Sequence, residues 1–125
     1  MYLRFETELI DKDSRRRQGI FIAAHRVLDE QDLPKYDYTR IRAVLDWFNK
    51  NLHGPKCLKN REANKRARSW FKASAFDVIA MAWELIAFLK EHGVHVRVVS
   101  KRELGQIIYE DRHQVVAFPR RGSKS

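Results

Sequence analysis

Cysteine is almost absent from this chain, which has one, Cys57, among 125 residues. A lone cysteine excludes an internal disulfide and any CxxC zinc site, and it is typical of a reduced cytoplasmic protein. The sequence also lacks GxSxG, P-loop, GxGxxG and HExxH patterns, so it offers no motif of a known reaction or cofactor. We therefore predict a protein that is not an enzyme and that binds neither metal nor cofactor.

Long hydrophobic runs are also missing. The most apolar stretch, residues 73–89, is interrupted by Asp77 and Glu84, so it is too short and too charged to span a bilayer. The first ten residues carry Arg4, Glu6 and Glu8 where a secretory signal would have an apolar core. A cytoplasmic protein without membrane contact is the expectation.

The apolar content is nonetheless sufficient for a folded core. Hydrophobic residues make up 44% of the chain and charged residues 33%, a composition that argues against global disorder. The length fits a single domain. We expect one domain over residues 1–119 and a short, flexible, basic tail over residues 120–125.

The hydrophobic periodicity predicts an α+β fold. Residues 2–10 alternate as a half-buried strand does, and three segments show the helical spacing of apolar residues. The predicted helices cover about residues 14–30, 37–53 and 61–91, followed by a strand at 94–98 and a hairpin of 106–110 with 113–118. In the order β-α-α-α-β-β-β, three helices pack on one face of a mostly antiparallel sheet of about four strands.

Acidic residues are scarce in one window, and there the sequence is most informative about function. Between Lys50 and Lys72 eight basic residues face one acid, Glu62, so this window is +7 of a total charge of +9. The remaining residues carry 17 basic and 15 acidic groups and are nearly neutral. A concentrated basic segment is the electrostatic footprint of a polyanion-binding surface.

The predicted third helix would arrange much of this charge in a stripe. Its basic residues recur at i+4, i+7 and i+11, and others precede the helix in a loop, so together they can follow a phosphate backbone. Trp47 lies off the apolar stripe of the second helix and is predicted to stack on a base. The predicted nucleic-acid-binding residues are Lys56, Lys59, Arg61, Lys65, Arg66, Arg68, Lys72 and Trp47, with Arg15, Arg16, Arg17, Arg120 and Arg121 as accessory contacts.

Three functions remain open at this level. The first is contact with a nucleic acid backbone, without a distinction between DNA and RNA. The second is a regulator or inhibitor that docks on an acidic protein surface. The third is an enzyme for a phosphorylated substrate, with Glu110, Arg112 and His113 of the hairpin as its polar groups. The sequence does not indicate the oligomeric state.

Overall fold

The computed structural model describes residues 1–10, 16–55 and 66–120. These residues form one six-stranded sheet and three helices. The strands are β1 (Tyr2–Ile10), β2 (Arg17–Gly19), β3 (Arg68–Lys72), β4 (Val96–Lys101), β5 (Ile107–Glu110) and β6 (Gln114–Ala117); the helices are α1 (Ile20–Glu30), α2 (Lys35–Asn51) and α3 (Phe76–Glu91).

All pairings in the sheet are antiparallel, and β1 makes three of them. Its residues 2–7 pair with β4 on one edge, while β3 and β2 pair in succession along the other edge. Beyond β3 the sheet continues through β6 to β5. The predicted α+β class and antiparallel pairing are confirmed, but the sheet has six strands because β2 and β3 lie in segments that we predicted to be helical.

The helices bury one face of this sheet. Leu3 and Phe5 of β1 point to that face, as their alternation predicts, and Phe5 is only 3% exposed. The opposite face carries Arg4 and Glu6. Helix α3 contacts both other helices. Its most deeply buried side chains are Val78, Ala82, Leu85, Phe88 and Leu89.

The predicted start of the third helix is wrong. Residues 68–72 form strand β3, and α3 begins only at Phe76. Trp70 and Phe71 continue the apolar spacing of α3, so the sequence pattern there looks helical. These two adjacent side chains are nevertheless both buried, at 3% and 8% exposed. In a strand, adjacent side chains point to opposite faces, so both aromatics are buried at once when each face is covered.

The predicted start of the first helix is also wrong. Helix α1 begins at Ile20, after a glycine N-cap, and Arg17 belongs to β2. Arg16 and Arg17 therefore precede the helix instead of occupying its first turn. At this end of the predicted helix, residues 17–19 form a short strand that pairs with β1.

The predicted hairpin is confirmed as β5 and β6, and its turn explains why no glycine is needed there. Oδ1 of Asp111 accepts hydrogen bonds from the backbone amides of His113 and Gln114 at 2.8 and 2.9 Å. An aspartate that bonds to amides two and three residues ahead stabilises a turn by itself. The preceding strand is also present, but β4 spans Val96–Lys101 rather than residues 94–98.

The loop before the hairpin depends on a close backbone approach at Gly105. A Cβ atom at this position would lie 2.8 Å from the backbone nitrogen of Arg120 and closer still to the carbonyl oxygen of Phe118. Because both neighbours are main-chain atoms, a side chain can be accommodated only if the segment 118–120 moves.

We expect Gly105→Ala to lower the free energy of unfolding by about 1–3 kcal/mol, the usual range for overpacking. Gly54→Ala is the matched control, since a Cβ there meets no heavy atom within 4 Å. Urea unfolding of both variants measures the difference. Equal stability of the two variants would contradict the close approach at Gly105.

Candidate functional site: two basic cavities that share Arg68

A cavity lies where one edge of β1 changes partner. β3 pairs with Tyr2 and Leu3, and β2 pairs from Glu6 onward, so Arg4 and Phe5 lie at the break between the two strands. The cavity has a volume of about 340 Å³. We call it the arginine cavity, because its lining residues within the described ranges include four arginines and no acid: Arg4, Arg16, Arg17 and Arg68.

Arg4 is held in place by hydrogen bonds and by a carboxylate. Its Nε donates to Oε1 of Glu6 at 3.2 Å, and its Nη1 donates to the carbonyl oxygen of Ser69 on β3 at 3.3 Å. Burial lowers the pKa of the Arg4 guanidinium, although the adjacent Glu6 charge opposes this effect. Glu6 also accepts from Arg97 at 2.9 Å, so this single carboxylate serves two guanidinium groups and leaves a net positive charge.

Arg16 joins two parts of the chain that are distant in sequence. Burial lowers the pKa of the Arg16 guanidinium, and repulsion by the Arg66 charge lowers it further. Arg16 in turn lowers the pKa of Arg4. Because such mutual effects require proximity, the arginines before α1 and those before β3 belong to one positively charged region.

The N-terminus of α1 faces the same cavity. The N-cap residue is Gly19, no side chain caps the helix, and no acid lies in its first turn. Phe21 and Ile22 of that turn line the cavity. A helix end without a side-chain cap presents amide donors and a partial positive charge, which adds to the field of the arginines.

A second cavity of about 470 Å³ shares Arg68 with the first. It lies on the face of the sheet opposite the helices. Its central aromatic residue is Trp70, with Nζ of Lys101 at 5.7 Å from the ring centroid. We call it the tryptophan cavity. Its basic lining residues are Arg68, Lys101, Arg102 and Arg120, and its acid, Glu103, forms an ion pair with Arg120.

Arg68 contributes to both cavities. Its Nη1 donates to the backbone carbonyl oxygens of Arg66 and Ala67 at 3.3 and 3.5 Å. Within residues 1–10, 16–55 and 66–120 no acid is paired with this guanidinium. Its guanidinium lies at the boundary between the two cavities.

The predicted site residues have different positions in the structure. Arg66 and Arg68 are brought together with the accessory Arg16 and Arg17, and the accessory Arg120 lines the tryptophan cavity. The stripe expected on a helix is not formed by Arg68 and Lys72, which lie on strand β3. Outside the described residues lie Lys56, Lys59, Arg61, Lys65, Arg15 and Arg121.

Lys72 and Trp47, which the sequence predicts to contact nucleic acid, contact other residues of the protein. Nζ of Lys72 forms an ion pair with Glu110 at 2.6 Å. Trp47 packs edge-on against Phe48, with ring centroids 5.2 Å apart, and it borders the hydrophobic core. It lines neither of the two cavities.

Sequence reasoning missed three basic residues of these cavities: Arg4, Lys101 and Arg102. The alternation of β1 places Arg4 on the polar face, but that pattern does not distinguish it from any solvent-exposed arginine. Lys101 lines the same cavity as Arg68 only because β4 and β3 both pair with β1. Long-range pairing of this kind leaves no local signal in the sequence.

Glu110 and His113 of the hairpin, which the third hypothesis assigns to acid–base chemistry, contact different residues rather than each other. Glu110 pairs with Lys72, whereas Nε2 of His113 lies 3.6 Å from Oδ2 of Asp77 on α3. Neither cavity described above is lined by these groups. Asp111, which lies between Glu110 and Arg112 in the turn, also accepts a hydrogen bond from the Tyr109 hydroxyl through its Oδ2 at 2.6 Å.

Comparisons of the chain with protein-family models, with curated proteins and with solved structures found no match. In the described parts of the chain, no group of three or more His, Cys, Asp and Glu side chains is placed to hold a metal ion. Among the same residues, none of the helices has the length and apolar character needed to cross a membrane.

The hydrogen bonds of Asp111 predict a pH-dependent contribution to stability. Burial alone would raise the pKa of this carboxyl group, but the bonds from Tyr109, His113 and Gln114 outweigh it and hold the pKa below its ordinary value of 3.8. A lowered pKa in the folded state means that the stabilisation is complete above the unfolded-state value and is lost as the pH falls through the folded-state value.

We expect Asp111→Asn to lower the free energy of unfolding at neutral pH by about 1–3 kcal/mol, as for hydrogen bonds to a charged group. The difference from the wild type should shrink as the pH falls below 3.8. Urea unfolding at pH 7 and at acidic pH values checks this. Asp46→Asn, which breaks the exposed pair with Arg42, is the control and should change stability by less than about 1 kcal/mol.

Proposed function

We propose that the protein is a small cytoplasmic nucleic-acid-binding protein that contacts the phosphate backbone through the face containing the arginine and tryptophan cavities. One observation carries the proposal: Arg68 lies between the two cavities, and its charge joins Arg4, Arg16 and Arg17 on one side to Lys101 and Arg102 on the other. A polyanion needs several cations distributed along a surface, since its affinity grows with the number of phosphates neutralised.

The electrostatics of this face favour a polyanionic partner. Burial and repulsion by the Arg66 charge both lower the pKa of Arg16, and Arg16 lines the arginine cavity with three other arginines. Phosphate groups would relieve that repulsion.

The geometry favours contact with the backbone over base-specific recognition. The cations are guanidinium and ammonium groups on strands and on the segments next to them, and neither an exposed recognition helix nor a row of exposed aromatics accompanies them among the described residues. Trp70 is 3% exposed, so it is not a free stacking platform. We therefore expect weak sequence preference.

The double variant Arg68→Gln with Arg102→Gln should weaken binding of labelled single-stranded DNA, duplex DNA and RNA alike. It should reduce the slope of log K against log salt by about 1.5–2, near the loss of two phosphate contacts. Fluorescence anisotropy at several salt concentrations, with protein freed of co-purified nucleic acid, measures both quantities.

A control with the same loss of charge distinguishes this surface from overall electrostatics. Arg26→Gln with Arg42→Gln removes two arginines that pair with acids one helical turn away, and the slope should then change by less than about 0.5. Equal effects of the two double variants would contradict the assignment. No binding at low salt would contradict the function itself and favour an acidic protein partner, which a nuclease-treated pull-down would recover.

A further inference from the structure

The outer side of α3 is apolar, although this helix already buries its other side in the core. Phe76, Ala80, Trp83 and Ala87 are all exposed, Phe76 by 78% and Trp83 by 49%. Their spacing of i, i+4, i+7 and i+11 places them on one side of the helix. We call these four residues the outer stripe. A surface helix normally has a polar outer side, and a helix that is apolar all round is normally covered all round, so the outer stripe indicates a partner.

An open edge of the sheet lies next to this stripe. β4 pairs with β1 on one side, and among the described residues no strand pairs with its other side. Val98, in the middle of β4, is paired with Phe5 and is 45% exposed. The Phe5 ring in turn contacts Trp83 edge-on, with centroids 5.5 Å apart. The strand edge and the outer stripe therefore form one surface, and an open edge is a template for a further strand.

The outer stripe is complementary to a second copy of itself, because large and small side chains alternate along it. In an antiparallel pair of α3 helices centred between Ala80 and Trp83, each ring lies opposite an alanine. Phe76 is then opposite Ala87 of the other copy, and Trp83 is opposite Ala80. Facing surfaces pack well when large residues meet small ones. A parallel pair in register would place ring against ring.

The charges of β4 select an antiparallel pairing with the same symmetry. A pairing that keeps side chains on matching faces can be centred on Arg97, Val98 or Val99. Centred on Val98, it places Val98 opposite its own copy and Arg97 opposite Val99. Centred on Arg97 it places two arginines opposite each other, and centred on Val99 it places Arg97 opposite Lys101. Like charges in opposite positions are destabilising, so the pairing centred on Val98 is favoured.

The helix contact and the strand contact fit into one assembly. Helix α3 contacts β4, and its Trp83 packs on Phe5 of β1, so α3 lies over these two strands. When two β4 strands pair, the two α3 helices are separated by about two strand spacings of about 4.8 Å each. The result is about 10 Å, which is a packing distance of helices.

We propose that the protein forms a two-fold symmetric homodimer in which the outer stripe of α3 packs on its own copy and the two β4 edges pair around Val98. Phe76 and Trp83 alone expose on the order of 250 Å², since aromatic side chains have roughly 150–250 Å² each. That is about a third of the roughly 800 Å² that each partner buries in a standard interface. The inference is independent of the proposed function, because it depends on apolar contacts and strand pairing.

Such a dimer would place two basic faces side by side. The two-fold axis of an antiparallel strand pair is perpendicular to the sheet, so the faces opposite the helices point in the same direction in both copies. This consequence, unlike the dimer, rests on the proposed function. A nucleic acid long enough to contact both copies would then bind more tightly than a short one, because the second contact is made at high effective concentration.

The oligomeric state of the full chain tests the inference. Sedimentation equilibrium is measured over a range of protein concentrations after removal of nucleic acid, in about 1 M salt, where the Debye length is about 3 Å. We expect a dimer that persists under these conditions, because apolar contacts and strand pairing are not screened. Contacts with a phosphate backbone are lost at high salt.

Two matched pairs of variants locate the interface. Ala80→Lys should weaken the dimer by more than about tenfold, because it places an unpaired charge against Trp83 of the other copy. Its control is Ala43→Lys, at an exposed alanine of α2. Val98→Lys should also weaken the dimer, since a lysine on an edge strand opposes pairing. Its control is Ile107→Lys on the edge strand β5, where Ile107 is 44% exposed. Circular dichroism checks that each variant is folded.

A covalent link reports the register of the strands. In a Cys57→Ser background, Val98→Cys should give a disulfide-linked dimer on oxidation. Residues directly opposite each other in antiparallel strands have Cβ atoms about 4.5–5.5 Å apart, which is near the distance that a disulfide requires. Ile107→Cys in the same background should remain unlinked.

The outcomes separate this inference from the proposed function. A wild-type protein that stays monomeric at every concentration overturns the inference and leaves the outer stripe to a different protein, while nucleic-acid binding is judged by its own titration. A dimer that withstands Ala80→Lys, or that is linked by Ile107→Cys and not by Val98→Cys, uses another surface and also overturns it. A salt-resistant dimer that Ala80→Lys dissociates supports the inference, even if no nucleic acid binds.

Discussion

The antiparallel pairing of β1 with three strands is the constraint on which the rest of the structure depends. One edge of β1 is continuous with β4, and the other edge is divided between β3 and β2. A strand divided in this way leaves a break at Arg4 and Phe5, where neither neighbour completes the ladder. At this break the sheet has a cavity, where a continuous strand would otherwise lie. Helix α1 and strand β3 meet at the same break.

The charge at this break is organised by one buried carboxylate. Glu6 accepts from both Arg4 and Arg97, and this arrangement keeps the Arg4 guanidinium oriented although burial lowers its pKa. An ion pair buried in this way contributes little net stability, but loss of one partner leaves an uncompensated charge. Glu6 is therefore a structural requirement of the cavity, although it does not line it.

Local pattern and long-range pairing account for what the sequence could and could not reveal. The alternation in β1, the Asp111 turn and the α3 stripe are decided by neighbours in sequence, and each was predictable. The strand that contains Trp70 and Phe71 was not predictable. Large apolar residues at these two positions fit the stripe of a helix and also fit a strand that is buried on both faces of the sheet. The proximity of Arg16 to Arg66 was equally invisible, because it depends on both segments meeting at one edge of β1.

Arg68 links the two cavities, because it lines both of them. Its guanidinium has five N–H donors in a fixed fork, and two of the acceptors it uses are main-chain carbonyl oxygens of its own segment. A ligand that binds the Arg68 guanidinium from one cavity leaves fewer of its N–H donors and less of its charge for the other cavity. If both cavities bind anions as proposed, occupancy of one changes the affinity of the other, and by reciprocity the coupling free energy is the same whichever cavity is filled first.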